Sequence, residues 1–185
     1  MPARTAETAS DDVVDAHRQA ISCIARVTVY GSGTEPSGEQ TLSIWSSGQG
    51  EPDLLRLKTH RGIGEIVISI ALNYMIAPAG IRAFSIEPTR YQYRVLDIAG
   101  RELVVYDWHP TGLSPVITPH LHVPAAGSVV LTQRPGSPLT SAKSYIGAMH
   151  LPTGPISLAE IVRMFITEFR VDPIRDDWEQ VLRAA

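Results

Sequence analysis

The sequence predicts an α+β fold in a single domain over residues 1–185: an N-terminal helix, a meandering antiparallel sheet, and two C-terminal helices packed on one face. Three observations carry this expectation. Residues 65–76 place Ile66, Ile68, Ile70, Leu72, Tyr74 and Ile76 at a period of two, which puts them all on one buried strand face. The strand-like runs around that segment are joined by short turns, whereas a parallel return needs a crossover of about a dozen residues or more. After residue 156 the period changes to that of a helix.

The elements follow in order. Ser10 can cap a first helix, Asp11 and Asp12 suit its positive end, and Val13, His17, Ala20, Ile21 and Ile24 repeat at helical spacing. Residues 1–9 are then expected to be a disordered tail. His17 falls on the apolar face, where a hydrogen-bonded core histidine is expected rather than a ligand. "RVTVY" and "TLSIW" alternate as strands about the Gly/Ser/Pro-rich "GSGTEPSGEQ". The "GSG" within it reads as a turn, because no P-loop lysine follows. "DLLRLK" reads as another strand. "APAG" at 77–80 supplies a turn, Pro78 presetting φ. The chain returns through "IRAFSIE" and "YQYRVLD", turns at "IAGRE", and runs on through "LVVYDWH". Residues 124–144, rich in Pro, Gly and Ser, read as one long irregular loop. "YIGAMHL" reads as a short strand paired back onto the sheet. "SLAE" at 157–160 is a capping box, followed by the stripe Leu158, Ile161, Val162, Phe165, Ile166 and Phe169. Asp172-Pro173 is expected to open the last helix, with Ile174, Trp178, Val181 and Leu182 on its buried face.

Composition limits the function. The 185 residues are 44% hydrophobic and 19% charged, too apolar for disorder and enough for a substantial core. One cysteine, Cys23, excludes an internal disulfide and reads as buried. The N-terminal stretch has no apolar core, so no signal peptide is expected. The apolar run at 66–81 is broken by Asn73 and Pro78 and falls short of the ~20 residues that span a bilayer. The expectation is a cytoplasmic protein without membrane association. A net charge of −3 argues against strong nucleic-acid binding, although Arg82, Arg90, Arg94 and Arg101 give one segment a local positive excess.

The segment "DWHPTGLSPVITPHLHV" at 107–123 carries three of the six histidines. Strand alternation puts Asp107 and His109 on one side of their strand, and His120 and His122 on one side of theirs. A register pairing His109 with His120, and hence Asp107 with His122, brings three imidazoles and a carboxylate to one patch. Pro110 and Pro119 favour extended residues before them, keeping the chain in strand up to the loop. A slip by one residue would disperse the patch. His150, in "MHLPTG", joins it if its strand pairs beside 119–123; a turn-stabilising role is the competing reading. Tyr91 and Tyr93 share a face and read as core.

Two chemistries suit the patch. His109, His120 and His122 can present three nitrogens to zinc or another divalent metal, with Asp107 as ligand or as the acceptor that orients an imidazole. Alternatively, two of the histidines act as general base and acid without a cofactor, cleaving a phosphodiester, with Arg94 or Arg90 steadying phosphate charge. The competing reading of a non-catalytic interaction module, whose histidines bond only backbone and water, also stays open.

The order "YQYRVLD", "GRELVVYDWHP", "PHLHV", capped helix resembles that of uncharacterised bacterial proteins carrying the same hairpin. In layout it is also similar to the TumE-like toxins of bacterial toxin–antitoxin loci. The resemblance spans roughly residues 90–123 and the helix after 157. It implies a small α+β hydrolase that cleaves RNA, a helix-turn-helix antitoxin as protein partner, and His109, His120 and His122 as the catalytic histidines.

Overall fold

The computed structural model describes residues 5–31, 39–45, 54–60, 64–80, 83–111, 115–124, 128–130, 143–145 and 149–185. Within these, helix α1 (Ala6–Ile21) leads into strands β1 (Thr28–Gly31), β2 (Glu39–Trp45), β3 (Leu54–Lys58), β4 (Glu65–Gly80), β5 (Ala83–Leu96), β6 (Glu102–Trp108) and β7 (His120–His122). Then come β8 (Ser128–Val130), β9 (Lys143–Tyr145), β10 (Leu151–Pro152), α2 (Leu158–Thr167) and α3 (Trp178–Ala184). Eight strands form one antiparallel sheet in the order β1-β2-β4-β5-β6-β7-β10, with β3 also on β4. The expected α+β architecture is present.

Strand β4 organises it. Its sixteen residues pair with β5 along one edge, while β2 and β3 share the other, at 72–75 and 65–69. Ile68, Ile70, Leu72 and Tyr74 are buried, and across β5 so are Tyr91, Tyr93 and Val95. Helix α1 adds Val13, Val14 and Ile21 to that core, and α2 adds Leu158, Ile161, Val162 and Phe165. Pro78 belongs to the strand and not to a turn: Ala77 to Gly80 pair with residues 83–85. "IRAFSIE" and "YQYRVLD" likewise make one strand through Pro88, which sits where the register shifts between Asn73 and Tyr74. A bulge suits a residue with no N–H to donate.

The helix ends differ from expectation. Thr5, rather than Ser10, caps α1, its hydroxyl accepting from the Thr8 amide at 3.0 Å, so helix replaces the second half of the expected tail. Ser10 instead lies 3.3 Å from the Tyr74 hydroxyl. Ser157 and Glu160 form the full capping box of α2. The third helix begins five residues later than Asp172-Pro173 suggests. The His60 amide donates to the Arg170 carbonyl at 2.6 Å and the Asp172 amide to the Lys58 carbonyl at 3.3 Å, which ties 170–172 to the end of β3. The Asp172 carboxylate meets His60 Nδ1 at 2.9 Å and is not free to cap. Ile174 is consequently 48% exposed.

Of the expected loop over 124–144, Ser128–Val130 and Lys143–Tyr145 pair as a separate two-stranded ribbon, and 125–127 and 131–142 lie outside the described residues. No described helix is long and apolar enough to cross a membrane.

His17 is the core histidine its phase suggests. Its Nδ1–H donates to the Val13 carbonyl at 2.7 Å, and desolvation holds the imidazole below its ordinary range, partly offset by that bond. The unfolded chain therefore binds a proton that the folded chain resists, and stability falls as pH drops below about 6.5. His17→Gln is expected to reduce this loss between pH 7 and pH 5, read as urea midpoints. An unchanged difference would show that His17 does not carry it.

Candidate metal centre

Alternation along β6 decides which side chains reach the sheet face away from the helices. Tyr106 and Trp108 pair with Tyr93 and Tyr91 and turn toward the core, so Val105 and Asp107 point the other way. Opposed residues of an antiparallel pair share a face, and β7 sets His122 against Val105 and His120 against Asp107. Strand β10 pairs Leu151 with Leu121 and Pro152 with His120. One step further, the same register sets His150 beside His122.

The result is a triad of imidazoles. Ring centroids are 4.8 Å apart for His120 and His122, 4.7 Å for His120 and His150, and 4.5 Å for His122 and His150. One nitrogen from each lies within 4.8 Å of the others. The burial is graded: His120 is 3% exposed, His122 half-buried, and His150 exposed. His120 Nδ1–H donates to the Thr118 carbonyl at 2.8 Å, which in the neutral ring leaves the Nε2 lone pair as the free donor. Desolvation, reinforced by the neighbouring His150 and His120, pushes the His122 imidazole below its ordinary range, against the opposing pull of Asp107 and Glu102. That keeps it in the form a metal needs.

Asp107 stands behind the triad. Its Oδ2 is 3.8 Å from His120 Nε2 and its Oδ1 2.8 Å from His109 Nε2. The second contact is close but not aligned as a hydrogen bond, leaving Oδ1 a buried acceptor without a properly placed donor. Zinc–nitrogen bonds of about 2.0–2.1 Å in a tetrahedron require nitrogens roughly 3.4 Å apart. The three nitrogens, within 4.8 Å of one another, must draw closer by up to about 1.4 Å to reach that separation. The donor set fits a borderline-soft divalent ion.

The expected register is off by two: Asp107, not His109, opposes His120. Two is an even number, so the face is preserved and only the partners change. His109 lies beyond the end of β6 against Asp107 and is not a member of the triad; His150 takes its place. A bond across the connection accompanies this register: Trp108 Nε1–H donates to the Ile117 carbonyl at 3.1 Å. Arg94 shares the face, opposite Val105, but its Nε and Nη2 both hold Glu102 Oε1, at 2.9 and 2.7 Å. Its charge is already answered. Tyr91 and Tyr93 are core, stacked at 5.0 Å, and Cys23 is buried.

Comparison with protein-family models, with curated proteins and with solved structures gives no match to this chain.

Proposed function

We propose that this is a zinc-binding protein of hydrolase type, whose centre is His120, His122 and His150, with the Thr118 carbonyl orienting His120 and the Asp107 carboxylate beside its Nε2. The mutual contact of the three rings, with one tautomer set by the Thr118 carbonyl, is the observation that carries the reading. Three imidazole donors leave a fourth position for water, whose pKa falls to about 7 at such a centre. One zinc per chain, measured by mass spectrometry after dialysis against limiting zinc, is the expected result, with loss of that zinc in His120→Ala. Wild-type protein that holds none, or a variant that retains it, would overturn the proposal.

The Asp107–His109 contact favours a second reading, a metal-free ribonuclease of the toxin type in which a carboxylate-held imidazole moves the proton. An RNA substrate and an antitoxin-like protein partner belong to that reading. Growth arrest on expression and RNA cleavage that persists in chelator but fails in His109→Ala would support it over the metal reading.

A further inference from the structure

A concavity lies on the opposite side of the sheet from the three histidines. Between α1, α2 and the core-facing surface of β4–β6 is a cavity of about 520 Å³, walled by Val13, Leu72, Ile86, Tyr93, Trp108 and Ile156 among others. Protein interiors hold few voids larger than a water molecule, and this volume is in the range of small-molecule sites. We propose that it binds a neutral, largely apolar small molecule, independently of the metal centre.

The wall chemistry sets the ligand class. Among the described residues no lysine or arginine lines the cavity, and their one carboxylate there, Glu160, is committed through Oε2 to the Ser157 amide at 2.7 Å and its hydroxyl at 2.9 Å. An anion would meet Glu160 without a counter-charge, and a cation would have to compete with the α2 cap. The Tyr91 hydroxyl accepts from the Ile156 amide at 3.4 Å, and the Trp108 indole N–H is held by the Ile117 carbonyl. Apart from His17 and the Tyr74 and Tyr93 hydroxyls, the remaining described surface is mostly hydrocarbon and ring face: Tyr91 stacks on Tyr93, and Trp108 tilts against Tyr91 at 5.7 Å. His17 has its Nδ1 on Val13, which leaves Nε2 as an acceptor for a single hydroxyl or N–H of the ligand. A neutral aromatic or alicyclic molecule with one donor satisfies all of these walls.

The test uses N-phenyl-1-naphthylamine, a neutral apolar fluorophore, titrated into the full chain in chelator. Saturable one-to-one binding with enhanced, blue-shifted emission is expected. Ile86→Trp on the sheet wall and Ile156→Trp on the helix side fill the space from opposite directions, and each is expected to weaken binding at least tenfold with an unchanged far-UV spectrum and a cooperative unfolding transition. Amide shifts in the wild-type protein provide the check that needs no variant: they should centre on Val13, Ile86 and Ile156. Unsaturable binding, shifts elsewhere, or undiminished binding in the folded variants would overturn the proposal.

Discussion

Alanine at His150 is expected to weaken zinc binding by at least about a hundredfold, and alanine at His109 by roughly tenfold or less, the limits being set by what outer partners alone contribute. The two variants separate the triad seen on the sheet from the one suggested by the hairpin alone. His150 is a full member of the three-ring cluster although it is the most exposed of the three. Losing it leaves two imidazoles, and a hundredfold loss corresponds to about 2.7 kcal/mol. His109 touches only the carboxylate behind the centre, so its removal should act through the orientation of Asp107. Asp107→Asn keeps the size but loses the charge and is expected between them, in the range of about 10–100-fold. Competition with a chromogenic chelator measures all three. A His109→Ala loss as large as that of His150→Ala would mean the ligand set is wrong.

Much of this arrangement was legible from local rules. The buried face of β4 and the capping box of α2 follow from period and phase alone, and the shared side of Asp107, His120 and His122 follows once an even register is assumed between their strands. What local rules do not contain is the distance a loop carries the chain before it returns. Here the connection returns two residues away from the expected pairing, with the Trp108–Ile117 bond across it, and His120 faces Asp107 in place of His109. His150 was reachable through a condition, the pairing of β10 beside β7, that only tertiary structure fulfils. The last helix shows the same limit at its start. Asp172-Pro173 is a valid opening in isolation, but His60 and the Lys58 carbonyl claim the Asp172 side chain and amide, and the helix waits until Trp178. Thr5 illustrates the reverse: a capping residue outside the apolar periodicity has only its own hydrogen bond to announce it.

Phe165→Ala is expected to cost about 3–5 kcal/mol of stability, the cost typical of removing a fully buried ring. Phe165 has no exposed surface, meets Phe169 edge-on at 6.3 Å, and sits where α2 closes over the sheet. Its carbonyl also accepts from the Val171 amide at 3.0 Å, at the point where the chain bridges to Thr59. A domain stable by only about 5–15 kcal/mol is left marginal by such a loss. The candidate metal centre lies on the other face of the sheet, so its three histidines should be intact in the molecules that remain folded. If zinc binds there and to the folded chain alone, a hundred times its dissociation constant is expected to restore about 2.7 kcal/mol. Urea unfolding with and without zinc measures both numbers. The double variant Phe165→Ala/His150→Ala should show the packing loss without the rescue. If zinc stabilises the double variant as much as the single one, it is binding somewhere other than the three histidines; if Phe165→Ala alone costs less than about 1 kcal/mol, the site collapses around smaller side chains, contrary to what its complete burial implies.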